Sequence, residues 1–183
     1  MVNGRRKGAA FERAVANDLR AWLSPEATGQ LWAVLRNQTD RQKGQDPNHA
    51  GEFAVECVTD KGQRFAWCIE CKAEKTWHES QLYSSPVVGP IASTAKRRGY
   101  WQQAVEQASA VGQVPVLVVK RNHGPILAIM ERKTWQALQA YTLPQMRFVL
   151  PMDGERWDLV AVPWANVLEA NPINVTGAKN EKQ

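Results

Sequence analysis

The residues in this chain best suited to chemistry are Glu70 and Lys72, which end the stretch Arg64-Phe65-Ala66-Trp67-Cys68-Ile69-Glu70-Cys71-Lys72. The stretch reads as a β-strand, and residues two apart on a strand share a face. Glu70 and Lys72 are then neighbours on one side, while Phe65, Trp67, Ile69 and Cys71 point the other way into a core. A carboxylate beside an ammonium at the end of an apolar strand suits a place where a divalent cation and a phosphate meet. The carboxylate offers hard oxygen to Mg²⁺, and the ammonium orients a water or offsets charge on a phosphate oxygen. Taken alone, the pair also fits an ordinary same-face salt bridge.

The elements that must position this pair can be read on either side of it. Phe11, Val15, Leu19 and Trp22 recur at helical spacing, which predicts a helix over 8–23. Glu12 lies on its flank, either as a rim carboxylate favoured by the helix dipole or as a carboxylate aimed inward at a metal. Ser24-Pro25 ends that helix, and 31–35 reads as a short strand or helix end. Residues 36–51 are polar and without periodicity, a loop carrying Arg36, Arg41, Lys43, Asp46 and His49. Next, Phe53, Val55 and Cys57 alternate, Asp60-Lys61-Gly62 supplies a turn, and the strand 64–72 returns. Such a hairpin brings Glu52, at the start of its first strand, close to Glu70 at the end of its second.

Downstream, 77–93 reads as loop and 96–111 as a helix stopped by Gly112, with Trp101, Ala104, Val105 and Ala108 on one face. The run Val114-Pro-Val-Leu-Val-Val119 has the continuous apolarity of a strand buried on both sides. Strands over 126–130, 147–150 and 158–162, a short helix over 134–141 and a last helical turn or two over 164–170 complete the pattern. Residues 171–183 read as a polar, frayed tail. The order of elements predicts one α/β domain over 1–170 with a mixed central sheet flanked by helices.

The chain of 183 residues is long enough for one domain with a real core. Its net charge of +5 and pI near 9.3 favour a polyanionic partner. The excess falls in clusters: Arg5, Arg6, Lys7 and Arg13; Arg36, Arg41 and Lys43; Lys96, Arg97 and Arg98; Lys120 and Arg121. Three cysteines, no signal sequence and no apolar run of membrane-spanning length indicate a reducing, cytoplasmic setting and no membrane partner. Cys68 and Cys71 form Cys-x-x-Cys, but on a strand they face opposite sides and cannot hold one zinc without a bend. His49, His78 and His123 are scattered and make no Ser/His/Asp arrangement. Of eight tryptophans, Trp22, Trp67, Trp101 and Trp135 fit core faces, whereas Trp77 and Trp164 are candidates for the surface.

Glu12, then Glu52 or Asp46, then Glu70 and Lys72 follow an order that resembles the PD-(D/E)XK nuclease superfamily, and most closely the archaeal-type Holliday junction resolvases and their phage relatives. The opening Arg5-Arg6-Lys7-Gly8-Ala9-Ala10-Phe11-Glu12-Arg13 is similar to that family's basic start, and Glu70-Cys71-Lys72 matches its Glu-x-Lys. Tyr100-Trp101-Gln102-Gln103-Ala104 resembles its Gln-bearing helix, with Gln103 the best match. The strand and turn over 115–125 are also similar to phage members. The resemblance spans roughly residues 5–130.

It implies a restriction-endonuclease-like fold and a Mg²⁺-dependent endonuclease, with Mn²⁺ as a substitute, acting on DNA four-way junctions as a homodimer. Glu12, Glu52 or Asp46, and Glu70 would be metal ligands, with Lys72 and Gln103 beside them. Arg5, Arg6, Lys7, Arg36, Arg41 and Lys43 would hold phosphates. The chain departs from the pattern at Gly51-Glu52-Phe53, where the family has Asp. Glu52 is favoured by its strand position, with Asp46 in Gly44-Gln45-Asp46-Pro47 as the alternative. Nucleases for flaps, ends or duplex sites share these residues, and a silent DNA binder would follow if the departure at Glu52 has cost metal binding.

Overall fold

Helix α1, Gly4–Trp22, lays its apolar stripe against one face of a sheet. Phe11, Val15, Leu19 and Trp22 are buried, as their spacing predicts, and Ala16 and Leu23 join them. Full burial of one such aliphatic side chain contributes roughly 1.5–3 kcal/mol. The computed structural model describes residues 4–36, 51–60, 62–74, 99–138, 146–152 and 155–178. Asp46, Arg41, Lys43, His49, Trp77, His78 and the loop over 77–93 lie outside them.

After α1, Ser24-Pro25 both stops the helix and starts the single turn α2, Pro25–Thr28, which closes on left-handed Gly29. The ambiguous segment at 31–35 is a strand, β1, Trp32–Arg36, antiparallel to β2, Phe53–Cys57.

The expected hairpin is divided between two sheets. Its returning strand breaks at Ala66 into β3, Gln63–Phe65, and β4, Trp67–Glu74. Strand β3 pairs with β2, but β4 leaves that sheet and runs parallel to β5, Val114–Arg121. The backbone of Ala66 accounts for the break. Its N–H donates to the Val175 carbonyl at 2.8 Å, and its carbonyl accepts from the Val114 N–H at 2.8 Å. Both groups are taken by segments remote in sequence, so the ladder with β2 cannot continue.

The four-stranded sheet has the order β1-β2-β3-β9, and β9 is Thr176–Ala178. Part of the stretch read as a frayed tail is therefore folded. A 3₁₀ turn, Pro172–Val175, buries Pro172 and Val175, and β9 then pairs antiparallel with β3. The five-stranded sheet has the order β4-β5-β6-β8-β7, with β6 at Ile126–Glu131, β7 at Met146–Met152 and β8 at Glu155–Pro163. Only β4 and β5 are parallel within it, joined through α3, Tyr100–Val111, so the sheet is mixed. Left-handed Gly112, at φ 64, ends α3 and donates to the carbonyls of Ala108 and Ser109.

Strand β5 is buried on both sides, as its unbroken apolar run predicts. Val116 and Val118 face the core with α1, and Leu117 and Val119 face Trp101 and Ala104 of α3. Short helices α4, Arg132–Ala137, and α5, Trp164–Leu168, bury Trp135, Trp164 and Val167 on the α1 side. Trp164, a candidate for the surface, is only 2% exposed, and its indole N–H donates to Asp18 Oδ2 at 3.0 Å. Helices on both faces of a mixed sheet make the α/β architecture expected from the order of elements, consistent with the restriction-endonuclease-like fold that the resemblance implies. No described helix is long and apolar enough to cross a membrane.

Candidate active site at the open edge of strand β4

Strand β4 alternates between two environments. Trp67, Ile69, Cys71 and Ala73 pack into the core with α1. Cys68, Glu70, Lys72 and Glu74 face α3, where Cys68 packs on Ala108, Gln103 reaches Glu70 and Tyr100 reaches Glu74. Cys68 and Cys71 thus look to opposite sides of one strand, both as buried thiols outside any disulfide.

Glu70 is fully buried. Its Oε1 accepts from Lys72 Nζ at 2.6 Å and from Gln103 Nε2 at 3.0 Å. Its Oε2 is also buried and has no hydrogen-bond partner among the described residues. A carboxylate removed from water costs several kcal/mol unless its charge and lone pairs are met. The ammonium and the amide meet half of that need, leaving one oxygen open. Lys72 keeps 21% of its side chain exposed, so the pair has one end in the interior and one near solvent.

Glu52 arrives from the other sheet. β4 is an edge strand of its own sheet, and the Glu52 N–H donates to the Ile69 carbonyl on that edge at 2.8 Å. Gly51 makes the approach possible. It sits at φ +71, and a Cβ there would stand 2.6 Å from the Ile69 carbonyl oxygen and 3.0 Å from Cys68 Sγ. Only glycine tolerates both the left-handed backbone and that proximity. Glu52 is consequently 7% exposed. Glu12, on α1, is half-buried, and its Oε1 lies 3.7 Å from where a side chain on Gly8 would begin.

The Cys71 thiol registers how these charges converge. Burial pushes its pKa well above the ordinary value, and the charges of Glu52, Glu70 and Glu12, in that order, push it further. Lys72 opposes them. Three acids from α1, the start of β2 and β4 therefore act on one buried point. Among the described residues, no three acidic, His or Cys side chains meet as a ready-made metal cage. Mg²⁺ does not require one, because it keeps several waters and takes only one or two protein carboxylates. The buried, unpartnered Glu70 Oε2 and the hard-oxygen character of the surrounding acids fit such an ion.

Arg5 and Arg6 are in the first turn of α1, Lys7 is exposed just after them, and Arg36 closes β1. Lys120 and Arg121 are exposed at the end of β5, opposite Ala73 and Glu74 of β4, and Lys120 Nζ lies 5.9 Å from the centre of the Phe11 ring. His123 is exposed in the β5–β6 turn at φ 55, with no place in the cluster.

Two residues that motif reading passed over belong to the neighbourhood. The Tyr100 hydroxyl hydrogen-bonds Glu74 Oε1, and Lys72 Nζ stands over the Tyr100 ring, 5.7 Å from its centre. Their signal in the sequence was positional: Glu74 follows Lys72 by two on the strand, and Tyr100 precedes Gln103 by three on the helix.

No curated protein and no solved structure matches the chain. A family described as "Phage putative PDDEXK endonuclease" matches residues 3–174, which takes in α1, the Gly51-Glu52 junction, β4 and α3. With nearly the whole chain matched and a buried Glu-x-Lys on an edge strand, the protein belongs to this phage PD-(D/E)XK endonuclease family.

Proposed function

We propose that the chain is a Mg²⁺-dependent, structure-selective DNA endonuclease that resolves four-way junctions. The observation that carries the catalytic part is the division of labour on Glu70: Oε1 is occupied by Lys72 and Gln103, and buried Oε2 is left for a cation. Glu70, Glu52 (or Asp46) and Glu12 would hold the ion, with the Cys71 carbonyl as a further oxygen. A Mg²⁺ held by these oxygens would supply charge neutralisation at the phosphate and acidify a bound water; Mn²⁺ is chemically suited to the same donors.

The chain's own groups do the rest. Lys72, tied to Glu70 yet partly open to solvent, places an ammonium beside the attacking water and offsets charge on the phosphate as the P–O bond breaks. Gln103 holds the Glu70 carboxylate in one orientation. Phosphate contacts from Arg5, Arg6, Lys7, Arg36, Arg41 and Lys43 would give affinity and salt dependence rather than base specificity. Recognition by shape suits a branched substrate, and the likeness of the Arg5–Arg13 segment to junction resolvases supports that choice. Two symmetric cuts need two sites, for which a C2 homodimer is the simplest provider. The unit so proposed is a single nuclease domain, working in the host cytoplasm, whose end, expected at 170, is extended to 178 by the pairing of β9 with β3.

The test is cleavage of a labelled four-way junction beside matched linear duplex and a flap, with Mg²⁺ or with EDTA, using the wild type, Glu70→Ala and Lys72→Ala. Paired nicks in the junction alone, abolished by EDTA and by either substitution, are the expected result. Equal cutting of all three substrates would keep the nuclease and remove the junction preference. Tight binding without cutting under any metal would instead identify a silent DNA binder. Independently of activity, Mg²⁺ should raise the melting temperature of the wild type and not that of Glu70→Gln.

A further inference from the structure

Tyr100 opens α3, and its side chain meets the active-site strand from the same helix face as Gln103, three residues on. The two make different contacts. Gln103 reaches the carboxylate of Glu70, whereas Tyr100 reaches the residues that follow it on β4. Its hydroxyl is bonded to Glu74 Oε1, and its ring lies beneath the Lys72 ammonium, 5.7 Å away. Glu70, Lys72 and Glu74 share one face of β4, so the ring lies against the outer half of that row.

A lysine on an edge strand has four rotatable side-chain bonds and loses conformational freedom when held in one place. Glu70 holds the ammonium at 2.6 Å from one side. An aromatic face attracts a cation within about 6 Å of its centre, and a ring anchored through its own hydroxyl cannot swing away. We infer that Tyr100 is a positioning residue for Lys72: its face, fixed by Glu74, keeps the ammonium at the site when the negative charge of Glu70 is shared with a bound cation. This rests on the nuclease reading of the site. It differs from the roles assigned above because it places a second, uncharged hold on the lysine, from helix α3.

The test combines a spectroscopic readout that needs no activity with steady-state cleavage. Lys72 ε-methylene protons above an aromatic ring resonate upfield, and selective ¹³C-lysine labelling of the full chain reads that shift. Tyr100→Leu should abolish the shift and lower kcat for cleavage of the labelled four-way junction in Mg²⁺ by about 5–10-fold, with KM within about 2-fold. Tyr100→Phe, which keeps the ring but loses its anchor on Glu74, should fall between the wild type and Tyr100→Leu in both, and Glu74→Gln should resemble it. An ε-methylene shift identical in the wild type and Tyr100→Leu would overturn the inference. So would a lost shift with unchanged kcat, or equal loss of kcat in the Phe and Leu variants. If the wild type carries the shift but cuts no DNA, the nuclease reading has failed and the positioning role falls with it, and the ring contact stands as a structural feature alone.

Discussion

Two carboxylates in this molecule bind basic side chains in opposite ways. Asp158, on β8, is a third exposed, and both its oxygens are used: Oδ1 accepts from Arg147 Nε at 2.8 Å, and Oδ2 accepts from Arg147 Nη2 and Arg132 Nε, both at 2.9 Å. Glu70, on β4, is fully buried; two donors crowd onto Oε1, and Oε2 has none among the described residues. The first arrangement is complete and lies where water would have served almost as well, so it adds little to stability. The second is incomplete where incompleteness is expensive. A buried group left half-satisfied makes sense when something else is to bind it.

The sharpest way to break this contrast is to replace the Glu70–Lys72 pair by apolar residues of similar size. Glu70→Met with Lys72→Met should reduce cleavage by about 10³-fold or more, since both the carboxylate and the ammonium are gone. Yet chemical denaturation should show stability unchanged or raised by up to about 2 kcal/mol, because a poorly satisfied buried ion pair is often worth less than well-packed hydrophobes. A marked loss of stability would mean that the pair is structural after all.

Gly51→Ala probes the same site without touching a charge. The added methyl meets the Ile69 carbonyl at 2.6 Å from a backbone at φ +71. The left-handed conformation alone costs an L-residue about 1–2 kcal/mol, and relieving the contact must move Glu52 away from β4. Thermal melting should fall accordingly, and cleavage should drop further than the lost stability explains. Cleavage that tracks only the folded fraction would remove Glu52 from the site.

Asp158→Asn should have the smallest effect. The hydrogen bond from Arg147 holds the Asp158 carboxyl below its ordinary value of 3.8. Its contribution is therefore present above that value and lost as pH falls through the lower folded-state value. The variant should melt within about 1 °C of the wild type at neutral pH, the difference vanishing in acid, and cleavage should be unaffected.

Much of this was readable from residue order. The stripe Phe11-Val15-Leu19-Trp22, the alternation through Trp67–Lys72 and the doubly buried run of β5 are periodic signals. Periodicity reports which side of an element meets the core. Glu70 and Lys72 came together because two positions on one strand cannot avoid it. The approach of Glu52 to Glu70 follows from the hairpin reading, whereas that of Glu12 rests on resemblance to nucleases, since no local pattern connects α1 with β4. The side of Trp164 is not legible locally because helix α5 is too short for its stripe to show, and the partner of its indole N–H, Asp18, is 146 residues away.

What the sequence determined by itself is most of the helices and strands before residue 171, the buried face of the clearly periodic ones, and the adjacency of Glu70 and Lys72. Tertiary structure alone decided that the expected hairpin divides at Ala66, that β4 becomes an edge strand and that residues 172–178 return to pair with β3. It also decided that Glu70 Oε2 is buried without a partner among the described residues. The physical reason is common to all of these. Side-chain periodicity is local and survives in the linear chain, whereas the partners of backbone groups at sheet edges, and of buried polar atoms, come from segments far apart in sequence, so they exist only once the chain has closed on itself.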